Sequence, residues 1–474
     1  MTFARHTRQA VRIAAVLLLP LLVPTLRAQD FSQTQTKPAP QTALVEQAND
    51  ALAKADYPTA LKLLTDLNTQ LPNDTHILYN LGFTLEALNP ATQPGAAPAG
   101  NPTQIAAAEA DYRAAILADP TFLDPHVALG LLLARTGHPA EAKTELLAAI
   151  NLPIPAEAEA APALKARACR ALARLYQRAS PPDLAAASDA LLAAIKLTPE
   201  TPDDILFAAE LAEAAADLPA AEQAYRRYLA LPGNSGIPLA TASLAHVLLA
   251  ESHPAEAEAV LTAALAAHPG DPALTAQLAQ AYLSSGDPAK IDQAVPLLQS
   301  LHAAHVDDPA ITRLLARLYV ETGHPDQADP LYAALISTQS QNGNQPDPTL
   351  VDDRAETLIR LHRPGEAERI LKPAIANPAS FPTPERLAEA ASHLAFAAAE
   401  IDDPKMTLQA LTLRATVLPP SPSTLFLEAT ANDTLHQTRQ AVDLYKKFLA
   451  EANGKFPDQE SQARQRLAAL ETKK

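Results

Sequence analysis

Tryptophan is absent from the sequence, and cysteine occurs once, at Cys169. A single thiol cannot close an intramolecular disulfide, so packing alone must hold the fold. Cys169 sits in "KARACRALARLY" at helical spacing among alanine and leucine, the setting of a small core residue. Glycine is scarce at 13 residues, while proline reaches 43. Loose linkers need both; this imbalance suits many short helices bounded by proline and excludes a long coiled coil. Strand-forming β-branched and aromatic residues are sparse. The apolar 48% of the chain is mostly alanine and leucine, both strong helix formers. At 474 residues the chain is too long for one ordinary core. These features together predict an all-α protein.

The chemistry-bearing motifs are missing as well. There is no H-E-x-x-H, no paired-cysteine motif, no G-x-S-x-G and no glycine-rich phosphate loop. The histidines His138, His253, His324 and His362 recur in similar turns, but they are strung along the chain and do not converge as metal ligands must. No catalytic residue, metal or cofactor is implied, and the expectation is a protein that is not an enzyme. Acids outnumber bases, for a net charge of −16. That balance disfavours nucleic acid as a partner.

The N-terminus differs from the rest. Arg5, Arg8 and Arg12 precede the apolar run Ile13–Val23, and "TLRAQD" offers a cut between Ala28 and Gln29. The pattern predicts a signal peptide over residues 1–28, with an uncleaved N-terminal anchor as the other reading. Removing those residues takes away four arginines and no acid, and carries the net charge from −16 to −20. Residues 29–40 read as a flexible lead-in. No other apolar stretch is long enough to span a membrane.

What is present is a repeated phrase. "RTGHPAEAKTELLAAI" (Arg135–Ile150) returns as "ETGHPDQADPLYAALI" (Glu321–Ile336). Further versions, "AESHPAEAEAVLTAAL" and "LHRPGEAERILKPAI", begin at Ala250 and Leu361. Gly130, Ala142, Leu146 and Ala149 match Ala316, Ala328, Tyr332 and Leu335. The same scheme of small and bulky residues runs along the chain with an undisturbed period of 34 residues, as from Ala245 to Ala279. Within each phrase the gaps of three and four keep these side chains on one helix face. "TGHP" is then a turn in which glycine ends one helix and proline starts the next.

On these residues the chain resembles the tetratricopeptide-repeat family over roughly 41–455. The departures are the absent tryptophan and the frequent alanine where glycine is usual. The resemblance implies a right-handed superhelical solenoid of stacked antiparallel helix pairs, about eleven repeats, with residues 456–474 as a C-terminal capping helix. Loop insertions are expected near 89–103, 151–163 and 337–349, where proline, glycine and asparagine gather.

The resemblance also implies a concave groove lined by the first helix of each pair. That face here holds Asn49, Tyr79, Phe83, the stripe Arg167, Arg170 and Arg174, then His246, Gln280, Arg313 and Arg317. Arginine's planar fork suits carboxylates, so an acidic protein or peptide segment could dock on the stripe. The other reading is that these arginines pair with acids on neighbouring repeats. Some relatives hold a C-terminal peptide in a two-carboxylate clamp. Asn49 and Asn80 fall at its asparagine positions, but Val45, Asp124 and Ala128 stand in place of its basic members. The function implied is a non-catalytic protein-binding scaffold of the cell envelope, periplasmic or secreted. The alternative is a periplasmic subunit of a polysaccharide secretion or outer-membrane assembly machine.

Overall fold

A computed structural model describes residues 40–89, 101–154 and 159–472. The expected signal peptide and all of the lead-in but Pro40 lie outside the described residues. The chain divides into two compact units, Met1–Glu251 and Ser252–Lys474. All regular structure among the described residues is helical.

In the first unit, α1 (Pro40–Ala53) pairs with α2 (Tyr57–Gln70), and α3 (Thr75–Ala87) with α4 (Pro102–Ala118). Next, α5 (Leu123–Thr136) pairs with α6 (Pro139–Asn151), and α7 (Ala161–Arg178) with α8 (Leu184–Leu197). Then α9 (Pro202–Ala214) pairs with α10 (Leu218–Leu229), on which α11 (Pro238–Ala250) packs.

The second unit begins with α12 (Pro254–Ala267) against α13 (Pro272–Ser285), which pairs with α14 (Pro288–Ala304). Three more pairs follow: α15 (Pro309–Glu321) with α16 (Pro325–Gln341), α17 (Pro348–Arg360) with α18 (Pro364–Ile375), and α19 (Pro384–Glu400) with α20 (Pro404–Ala415). Last come α21 (Pro422–Thr434) with α22 (Thr438–Ala452), and α23 (Pro457–Glu471) on the latter. Within each unit every helix touches its sequence neighbours, so the repeats stack there in chain order.

The sequence explains where helices begin. Proline occupies the first turn of most of them, where its missing N–H is no loss. Aspartate commonly stands just before: Asp74 Oδ1 accepts from the His76 and Ile77 N–H groups, and Asp308 Oδ1 from those of Ala310 and Ile311. In "TGHP", Gly137 has φ 86° and Gly323 φ 76°, the left-handed conformation glycine tolerates. With glycine scarce, other turns place Ala55, Ala216, Ser252, Asp402 and His436 in that conformation. His362 does so too, at φ 56°, so it stands where glycine stands in "TGHP" and Arg363 holds the histidine place.

Packing follows the small–bulky scheme. Gly130 is so close to Leu146 that a Cβ there would lie 2.7 Å from the leucine's Cγ and Cδ2. At Gly82 a Cβ would lie 2.8 Å from the Tyr112 ring. Ala316 and Tyr332, and Ala429 and Tyr445, are buried at the corresponding places in later pairs.

The three interruptions are shorter than the composition suggests. Helix α16 continues through Gln341, leaving 342–347 as the connection rather than 337–349. In its polar end Thr338 and Ser340 donate their hydroxyls to the carbonyls of Ala334 and Ile336 within the helix. Residues 161–163 already belong to α7. Around 89–103, Asn89 ties the two ends together: its Nδ2 donates to Gln104 Oε1 at 2.7 Å, and its Oδ1 accepts from the Asn101 N–H at 2.8 Å.

Candidate peptide-binding face

The first helices of neighbouring pairs touch one another in several places, as α5 touches α7 and α17 touches α19. Side chains link further first helices, as Arg170 of α7 does with Asp204 of α9 and Arg313 of α15 with Asp353 of α17. Helix α7 shows how the sequence builds such a face. Ala166, Cys169, Leu172 and Ala173 are buried, which turns Arg167, Arg170 and Arg174 to the opposite side. Burial pushes the Cys169 thiol upward, away from reactivity.

The three arginines share a helix face but not a role. Arg170 Nε donates to Asp204 Oδ1 at 2.8 Å and its Nη2 to Asp204 Oδ2 at 2.7 Å, with Thr198 Oγ1 at 3.1 Å from Nη2. Asp204 lies one repeat onward in α9, its side chain only 4% exposed. Burial pushes the Asp204 carboxyl up, but the bonds from Arg170 and from the Thr201 N–H outweigh it and hold the group below its ordinary value. Arg170 is therefore a structural staple. Arg174 is exposed, with its guanidinium carbon 4.7 Å above the centre of the Phe207 ring, a cation–π contact. Arg167 is exposed too, and neither it nor Arg174 makes an ion pair among the described residues.

The second unit repeats this division. Arg313 donates through Nε and Nη2 to Asp353 Oδ2, at 2.8 and 2.6 Å. It also reaches Asp347 Oδ2 at 3.2 Å and Thr349 Oγ1 at 2.9 Å. Arg317, one turn further, is exposed and has no ion pair among the described residues.

Two expected face residues are in the core instead. Tyr79 and Phe83 are each only 7% exposed. Tyr79 lies against Tyr112 and Phe122, and Phe83 against Tyr57, with ring centres 5.6–6.2 Å apart. Helix α3 is buried on nearly every side from Ile77 to Leu85, so its aromatics fill space between pairs. Asn49 is partly buried on α1 and engaged.

Residues 248–290 and 289–346 match the family model described as tetratricopeptide repeat. Residues 248–346 therefore carry tetratricopeptide repeats. No curated protein matches the sequence significantly. Among solved structures it is similar to a tetratricopeptide repeat protein from Parabacteroides merdae, at 14% identity and TM-score 0.38, over 57% of this chain and 98% of that one. It is also similar to yeast Tom70, at 12% identity and TM-score 0.38, over 91% of this chain and 96% of that one. A third is a tetratricopeptide-repeat protein of Thermus thermophilus, at 18% identity and TM-score 0.35, over 41% of this chain and 99% of that one.

Several features of these repeats escape a reading by motif. Oppositely charged residues about one repeat apart are bonded: Arg170 to Asp204, Arg313 to Asp347, Arg386 to Asp353, Arg363 to Asp329 and Arg466 to Asp433. Their signal in the sequence is a base and an acid 33 or 34 residues apart. Two partly buried histidine–carboxylate pairs accompany them. His126 Nδ1 is 2.8 Å from Glu145 Oε2 while its Nε2 is 3.1 Å from the Pro120 carbonyl. The Glu145 bond raises the His126 pKa against the opposing effect of burial. His393 Nδ1 lies 2.7 Å from Asp352 Oδ1, joining α19 to α17. A cleft of about 580 Å³ opens beside the cap helix, lined by Phe426, Asp433, Gln462 and Arg466 among others. There Arg466 is already bonded twice to Asp433. Among the described residues no cluster of three or more His, Cys, Asp or Glu could hold a metal ion, and no helix is long and apolar enough to cross a membrane.

Proposed function

We propose that this protein is a non-catalytic scaffold of the cell envelope that binds an acidic segment of a protein partner along the first helices of its repeats. The tetratricopeptide fold suits protein partners in general. The observation that carries the finer reading is the state of Arg167 and Arg174: two exposed cations on one helix face, left without an ion pair among the described residues in a chain of net charge −16. Elsewhere on this face, Arg170 and Arg313 bond acids of their own chain. An arginine held in place and unpaired is prepared for a carboxylate. Export rests on the charged, apolar and small-residue order of residues 1–28.

Random-peptide display against the full chain tests the binding site. The expected selection is acid-rich, and the selected peptides lose affinity for the variant carrying Arg167→Glu and Arg174→Glu. Peptides that bind this variant as well as the parent would place the site elsewhere. N-terminal sequencing of the protein from its native cell tests export. A start near Gln29 is expected, and an intact Met1 counts against it.

A further inference from the structure

We propose that the α7 face selects its acidic segment by spacing, taking two carboxylates three residues apart on a polyproline-II strand. This rests on the reading above that the face holds an acidic segment. Arg167 and Arg174 are seven residues apart on one helix. Seven residues advance about 10.5 Å and fall about 20° short of two full turns, so both point the same way. In polyproline II, residues i and i+3 also share one side, and they are about 9.3 Å apart. In a β-strand the same-side spacings are about 6.7 Å for i+2 and about 13.4 Å for i+4, and neither fits as well.

Three features of the face sharpen the match. Arg174 rests on Phe207, which limits the positions its guanidinium can take. Arg170, between the two, has its fork on Asp204 and cannot serve a third carboxylate. Residues i+1 and i+2 of a polyproline-II ligand point away from the face and ask nothing of it. A helical ligand is a poorer fit, because docked helices lie by an apolar stripe in an apolar groove, and this face offers a row of guanidinium groups. The flanking first helices carry the partly exposed acids Asp124 on α5 and Asp203 and Glu210 on α9.

The test is fluorescence anisotropy at low salt, with the full chain and labelled proline-framed peptides. Their glutamates are separated as Glu-Pro-Glu, Glu-Pro-Pro-Glu and Glu-Pro-Pro-Pro-Pro-Glu, each with a glutamine counterpart. The middle spacing is expected to bind about tenfold tighter than the other two, because only it engages both arginines with charge-assisted bonds. Arg167→Ala and Arg174→Ala should each lose about tenfold, and the double variant should level the three spacings. Unchanged thermal melts of these exposed-residue variants guard against misfolding. Equal, arginine-dependent binding at all spacings overturns the selection by spacing and leaves the acidic-segment reading standing. Glutamate peptides that bind no better than their glutamine counterparts, or bind the double variant undiminished, overturn both.

Discussion

Replacing Arg170 with alanine should loosen the first unit, although neighbouring Arg174 can be replaced at little loss. Asp204 is almost wholly buried and receives two charge-assisted bonds from Arg170. Removing one partner of a buried pair costs about 3–5 kcal/mol, because the remaining charge stays out of water. Two features reduce that here. Arg170 is 26% exposed, so water can enter when it goes, and Asp204 keeps the Thr201 N–H. A loss of about 2–3 kcal/mol is therefore expected, at the scale of charged hydrogen bonds. Arg174→Ala removes one exposed cation–π contact, at about 0.5–1 kcal/mol. Stacked repeats can open locally, so a single melting temperature understates the difference. Hydrogen exchange of the amides in α7 and α9 is the better assay. Arg170→Met with Asp204→Leu should recover much of the loss, since a matched apolar pair leaves no buried charge. The sign with pH follows from Asp204. Its folded pKa lies below its unfolded one, so the pair stabilises fully above about pH 4 and the gain disappears as pH falls through the folded value. Exchange rates in α7 and α9 that do not change in Arg170→Ala would refute the staple.

Gly130→Ala should destabilise by about 1–3 kcal/mol in urea unfolding, since the new Cβ falls 2.7 Å from the fully buried Leu146. Trimming the opposing side chain with Leu146→Ala in the same chain should relieve the clash, and the pair should then behave non-additively. Ala216→Gly should stabilise by about 0.5–1 kcal/mol, because alanine at φ 60° carries left-handed strain that glycine lacks. A thermal melt that falls instead would count against that account. His126 should titrate above 6.5 by NMR, since both ring nitrogens face acceptors and the imidazolium satisfies both. Its folded pKa is raised, so its contribution is complete below the unfolded pKa and is lost as pH rises through the folded one; His126→Gln should flatten that part of the stability profile.

The repeat was legible because stacking imposes it in every unit. Each pair must bring a small residue against a bulky one, so Gly82 with Tyr112, Gly130 with Leu146 and Ala316 with Tyr332 mark the period without any alignment. Helix ends were legible for the same reason, through proline at the first turn and aspartate before it. The face was harder. Periodicity places a side chain on a side of its own helix, but whether that side meets solvent depends on the next pair. Tyr79 and Phe83 have the spacing of face residues, yet the rings of Tyr57, Tyr112 and Phe122 close over them. The distinction among Arg167, Arg170 and Arg174 needs the adjacent repeat as well. All three sit on one stripe, but only Arg170 has an aspartate 34 residues on, placed to receive its fork. Arg313 has Asp347 at the same offset, and Arg317 has no acid there. In a stacked array, one repeat length is a spatial neighbour relation, much as four residues are along one helix. An opposite charge at that offset marks candidates for such fastening, and the packing decides among them: Glu200 stands 33 residues after Arg167 and Glu141 stands 33 before Arg174, yet those acids bond Arg227 and Arg113 instead. Among the arginines of the face, Arg167, Arg174 and Arg317 are the ones that make no ion pair among the described residues.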